Sequence, residues 1–181
     1  MQTFVALLRG INVGKANRIP MAELRTLLVE QGYSNVVTLL NSGNAVFRAA
    51  DKSPPKLAEE ISSAIFSKFN LHVPVIVKSV NELARIIQEN PLDTTEVNHS
   101  QLLVAFVQES SALLGLSPIE RLVDGPERFI TGKDAAYLNC ANGIMESKAA
   151  KALLGKACKA TTTTRNWATV LKLQALADES T

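Results

Sequence analysis

The chain has 181 residues, a formal net charge of +2, 46% hydrophobic residues and 20% charged ones. That balance excludes disorder over most of the length and supplies enough apolar side chain for a core. No apolar run approaches the roughly 18 residues that a membrane helix needs. The start, Met1-Gln2-Thr3-Phe4, lacks the basic region of a secretory leader. A cytoplasmic protein without a membrane partner is expected, with Cys140 and Cys158 as reduced thiols rather than a disulfide.

Phe4 to Leu8 is a short apolar run and reads as the first strand. Pro20 opens a helix whose Met21, Leu24, Leu27 and Leu28 share one face, and Gly32 stands where a helix-ending glycine belongs. Val36 to Leu40 is a second strand. Asn41-Ser42-Gly43-Asn44 supplies turn residues, and Ala45 to Arg48 returns as a third. Ser53-Pro54-Pro55 starts a helix with Leu57, Ile61, Ile65 and Phe69 along one side. Val73 to Lys78 is the fourth strand. Ser79-Val80-Asn81-Glu82 has the spacing of a capping box before another helix, which Asn90-Pro91 stops.

The second half repeats this order. Gln101 to Val107 is a strand, and Ser117 to Val123 a short helix with Pro118 in its first turn. Arg128 to Thr131 and Ala135 to Asn139 form a hairpin across Gly132-Lys133-Asp134. Ser147 to Leu154 is a helix closed by Gly155, Lys159 to Thr163 a strand, and Arg165 to Ala177 the last helix. The expected fold class is therefore α+β: two ferredoxin-like βαββαβ subdomains in tandem, residues 1–92 and 93–181, each followed by a helix. The repeat is one of topology; residue identity between the halves is not evident.

The loop Arg9-Gly10-Ile11-Asn12-Val13-Gly14-Lys15-Ala16-Asn17-Arg18 holds three cations, two glycines, two asparagines and no acid. A phosphate-binding P-loop is excluded. Its glycines must be five apart, not four, and Ala16 stands where a Ser or Thr would hold magnesium. The spacing also fails the dinucleotide fingerprint. What remains is a strand-to-helix loop whose Gly10 and Gly14 free the backbone and whose Arg9, Lys15 and Arg18 can bind anionic oxygens, with Asn12 and Asn17 as polar partners. The plainer reading is a wide turn closed by asparagines.

In a ferredoxin-like sheet the first and third strands are neighbours. That puts Ser42, Gly43 and Asn44 at the same edge as this loop. Arg165 and Asn166, read in the first turn of the last helix, are a further candidate, since a cation there opposes the helix dipole and calls for an anion. Six basic residues (Lys148, Lys151, Lys156, Lys159, Arg165 and Lys172) follow Ser147 with no acid among them. His72 and His99 have no ligand-spaced companions, so no metal is expected. No cofactor is specified.

Four stretches carry a resemblance: Leu-Leu-Arg-Gly-Ile-Asn-Val-Gly (7–14), Ile-Pro-Met-Ala-Glu-Leu-Arg (19–25), Asn-Ser-Gly-Asn-Ala-Val-Phe (41–47) and Thr-Arg-Asn-Trp-Ala-Thr-Val-Leu-Lys-Leu (164–173). Together they resemble the bacterial family called domain of unknown function 1697, over essentially the whole chain. The resemblance implies an α+β protein with ferredoxin-like subdomains and no established activity. The residues favour a small anionic or phosphate-containing ligand. The alternatives are a nucleic-acid-binding module, as some ferredoxin-like sheets are, or a protein-interaction module without catalysis.

Overall fold

The computed structural model describes residues 1–50, 52–155 and 162–180. The first half runs β1 (Gln2–Leu8), α1 (Met21–Glu30), β2 (Ser34–Leu39), β3 (Asn44–Ala49), α2 (Pro54–Phe69), β4 (Val75–Ser79) and α3 (Val80–Gln88). The second runs β5 (Leu102–Val107), a 3-10 helix (Ser110–Leu122), β6 (Arg128–Thr131), β7 (Ala135–Asn139), α4 (Lys148–Leu154), β8 (Thr162–Asn166) and α5 (Trp167–Glu179). The two antiparallel sheets have strand orders β2-β3-β1-β4 and β6-β7-β5-β8. Both are the ferredoxin-like order, so the tandem βαββαβ reading holds, and a helix follows each unit. Among the described residues no helix is long and apolar enough to cross a membrane. By packing, the first compact unit ends at Leu83 and takes back the chain from Leu173 on, while the second spans Ala84–Lys172.

In the first unit, Phe4, Ala6 and Leu8 of β1, Ala45 and Phe47 of β3 and Val77 of β4 form one buried sheet face. Leu24, Leu27 and Leu28 of α1 and Leu57, Ile61 and Ile65 of α2 cover it. The i, i+3, i+4 spacing of these leucines and isoleucines produces that stripe. Gly32, at φ +86°, ends α1 as read. Its N–H donates to Val29, and that of Tyr33 to Leu28, a Schellman pattern that only a left-handed residue allows cheaply. The capping box also forms: Ser79 Oγ accepts from the Glu82 N–H at 3.2 Å, and Glu82 Oε2 accepts from the Ser79 N–H at 2.8 Å. Ser53 precedes α2 but makes no capping hydrogen bond with its side chain.

In the second unit, Leu103, Ala105 and Val107 of β5 and Ala136 and Leu138 of β7 pack with Leu113, Leu116 and Ile119 of the 3-10 helix and Ala149, Ala150 and Leu153 of α4. The first helix of this unit differs from the reading of residues 117–123. It begins at Ser110, and its buried residues recur every third position, matching three residues per turn. Gly115 and Pro118 lie inside it, and Pro118 lacks the N–H that an α-helix would need there. Within the described residues the last strand is Thr162–Asn166, running past the Thr163 end that was read; residues 159–161 of that reading, and Cys158, lie outside the described residues.

The two last strands match residue for residue in their pairing. Lys78 of β4 lies opposite Val5 of β1, and Arg165 of β8 lies opposite Val104 of β5. Both cations are buried, and in each case the next residue, Ser79 or Asn166, caps the following helix. The repeat therefore includes a residue-level feature that identity between the halves does not reveal.

Candidate functional site

The loop between β1 and α1 leaves the sheet at Leu8 and returns at Ile19. Ile11 and Ile19 are both buried in the first core, so the excursion is pinned at two points. Between them the backbone takes left-handed angles at Asn12 (φ +55°), Gly14 (φ +60°) and Asn17 (φ +49°), after Gly10 (φ +68°). Glycine and asparagine are the residues that tolerate this region, which explains their spacing in the sequence.

Asn12 organises the loop. Its Nδ2 donates to the carbonyl of Ile19 at 2.9 Å and to that of Asn41 at 2.8 Å, while its Oδ1 accepts from the Ile19 N–H at 2.9 Å. Its own N–H donates to the Asn17 carbonyl at 3.0 Å. Asn17 Nδ2 closes the other side by donating to the Gly10 carbonyl at 3.1 Å. The amide of Asn12 is thus spent on the fold.

The turn after β2 meets this loop, as the strand order requires. The Leu8 N–H donates to the Gly43 carbonyl at 2.8 Å, and Leu7 pairs with Asn44. A Cβ on Gly43 would lie 2.7 Å from Leu8 Cβ and 2.8 Å from Ile11 Cδ1, and φ there is +85°. Position 43 therefore admits only glycine without rearrangement. Asn44 is fully buried, with Nδ2 donating to the Leu39 carbonyl and to Ser42 Oγ, both at 2.9 Å. Ser42 stands exposed at the turn.

The cations divide into two groups. Arg9 is half-buried, and its N–H donates to the Pro74 carbonyl at 2.9 Å. Lys15 and Arg18 are exposed and outside every ion pair among the described residues. A hollow of about 250 Å³ lies beside Arg18, lined by Asn12, Arg18, Ile19, Pro20, Met21 and Asn41. Arg18 is the one charged residue in that lining.

The family model described as "Protein of unknown function (DUF1697)" matches residues 1–137. The chain belongs to this family. The matched span of this DUF1697 protein contains the whole loop and the 41–44 turn. No curated protein matches the chain. Among solved structures, a conserved bacterial protein, SP0830 from Streptococcus pneumoniae, is similar in fold, with a TM-score of 0.81 and 23% identity over 97% of this chain and 98% of that one.

Arg165 and Asn166 of the DUF1697 chain lie elsewhere than the sequence suggests. They are the last two residues of β8, not the first turn of α5. Asn166 is the cap, its Oδ1 accepting from the Thr169 N–H at 2.9 Å. Arg165 donates from one guanidinium nitrogen to Thr163 Oγ1 at 2.9 Å and to the Thr164 carbonyl at 2.7 Å. Burial lowers its pKa to about 10. The β-branched Thr162, Thr163 and Thr164 favour the strand, which runs on to Asn166 before the helix begins. Of the residues around the loop, Ile11, Ile19 and Asn41 were missed as parts of the site. Their roles are burial and a backbone carbonyl, neither of which residue type announces.

Proposed function

We propose that the protein binds a small anionic, phosphate-containing ligand at the β1–α1 loop. The observation that carries this reading is the hollow beside Arg18, which has a cation and no acid in its lining. Lys15 stands exposed on the same loop. The pinned loop supports it too, because a frame fixed in advance by Ile11, Ile19 and Asn12 loses little freedom on binding. A volume of about 250 Å³ is below the roughly 300–1,000 Å³ of sites for drug-sized ligands, and suits a single anionic head group. A cytoplasmic setting belongs to the same proposal, and the free, buried thiol of Cys140 favours it.

Nucleic-acid binding through the sheets draws no support from the aromatic residues. Phe4, Phe47, Phe106, Phe129 and Tyr137 are all buried, leaving no exposed ring of the sheets on which a base could stack. A thermal-shift panel of inorganic phosphate, sugar phosphates, nucleotides and acyl-CoA esters tests the proposal. A ligand at 100 times its Kd should add about 2.7 kcal/mol of stability. The stabilisation should disappear in a Lys15→Ala/Arg18→Ala variant whose own melting temperature is unchanged. A panel without any shift, or an equal shift in the variant, would count decisively against it.

A further inference from the structure

Two exposed aliphatic residues adjoin in sequence two residues of the hollow's lining, Asn12 and Asn41. Val13 is 71% exposed and Leu40 is 53% exposed. Each adjoins one end of the same hydrogen bond, since Val13 follows Asn12 and Leu40 precedes Asn41, and those two are joined at 2.8 Å. Leu40 also holds a left-handed backbone, φ +57°. Leu40 lies in the turn between β2 and β3, and a left-handed leucine is uncommon; such outliers cluster where ligands are held. Inside the hollow, Ile19, Pro20 and Met21 make half of the lining. The Asn12 amide already makes three hydrogen bonds there and has no hydrogen left to give.

We infer that the ligand is an amphipathic anion: a phosphate or similar head group carrying a short aliphatic or aromatic body. This rests on the anion-binding reading above and narrows it. The head meets Arg18 and Lys15, and the body lies against Val13, Leu40 and Met21. A sugar phosphate fits less well, because its hydroxyls would face apolar lining and an amide that is already satisfied. A lipid surface also fits less well. Recognition of anionic bilayers reads from clusters of about four to eight cations, and this loop exposes Lys15 and Arg18 alone besides the half-buried Arg9.

The test is calorimetric titration of the full chain with inorganic phosphate, ethyl phosphate and hexyl phosphate, with hexanol as a control. Each methylene that leaves water tightens binding roughly fourfold. Hexyl phosphate is therefore expected to bind at least about tenfold tighter than inorganic phosphate, allowing for a body only partly covered. That advantage should vanish in a Val13→Ser/Leu40→Asn variant, with affinity for inorganic phosphate unchanged. Asparagine tolerates the left-handed angle at position 40, so this variant keeps the fold. Equal affinity for all three phosphates would overturn the inference and leave anion binding standing. So would an alkyl advantage that persists in the variant. Binding to phosphatidic acid vesicles without affinity for hexyl phosphate would overturn it in favour of a lipid surface. No binding of any phosphate would remove the anion reading itself.

Discussion

Asn12 donates its side-chain amide to the main-chain carbonyl of Asn41 at 2.8 Å, across 29 residues of chain. That bond ties the β1–α1 loop to the β2–β3 turn. With the two bonds to Ile19 it makes one side chain the shared fastening of both walls of the candidate site.

Asn12→Ala should accordingly destabilise the protein without touching an exposed cation. Three hydrogen bonds at about 0.5–1.5 kcal/mol each, partly replaced by water, and an alanine forced to a positive φ give a loss of about 2–3 kcal/mol. Arg18→Ala should stay within about 0.5 kcal/mol of wild type, as exposed substitutions do. Urea unfolding of the two variants decides. If Asn12→Ala unfolds at the wild-type midpoint, the fastening is not structural.

Gly43→Ala should be worse than Gly14→Ala, although both glycines have positive φ. A methyl at 43 meets Leu8 and Ile11 below 3 Å, whereas at 14 it meets open space. The conformational penalty alone is about 1 kcal/mol; overpacking adds typically 1–3 kcal/mol. Equal midpoints for the two variants would contradict the close approach of the turn to β1.

Ser147→Ala should cost about 1 kcal/mol, because Ser147 Oγ accepts from the Ala150 N–H at 3.0 Å at the start of α4. Ser53→Ala should cost almost nothing, since Ser53 makes no such bond ahead of α2. Thermal denaturation of the two variants side by side would show whether the two helix starts differ in this way.

Stability should fall on the alkaline side because of Cys140. Burial pushes its thiol from an ordinary value of 9.0 up to about 11. A pKa raised by folding contributes stability that is complete below 9 and is lost as pH rises toward 11, because the unfolded chain ionises first. The loss between pH 8 and pH 10 is about 1 kcal/mol. Tyr33 and Tyr137 are also raised by burial, and add their own loss only above their ordinary value of 10. In Cys140→Ala the slope between pH 8 and pH 10 should flatten, whatever the variant's absolute stability. A slope equal to wild type would show that another group governs this range. The native thiol should also resist a thiol reagent at pH 8.

Much of this was legible in the chain. Gly32, the Ser79–Glu82 box and the 128–131/135–139 hairpin carry local signals, and local signals act through hydrogen bonds made within a few residues. The meeting of the 9–18 loop with the 41–44 turn followed from strand order alone. The end of β8 was not legible: threonine before a helix can cap it or extend a strand, and pairing with β5 settled the choice for Thr164, Arg165 and Asn166. The 3-10 helix was only half legible, because its three-residue burial period matters only once a sheet face lies against it.

Apolar periodicity and turn chemistry along the chain specify two βαββαβ units and a cationic, glycine-containing loop at the edge where strands one and three meet. Which residues of that loop are fasteners and which face solvent is set by packing in three dimensions. Asparagine, isoleucine and arginine have the same identity in either role. Their part is set by which carbonyls and apolar surfaces the fold brings within reach. Here Asn12, Ile11 and Ile19 are consumed by the fold, and Lys15, Arg18, Val13 and Leu40 are left at the surface.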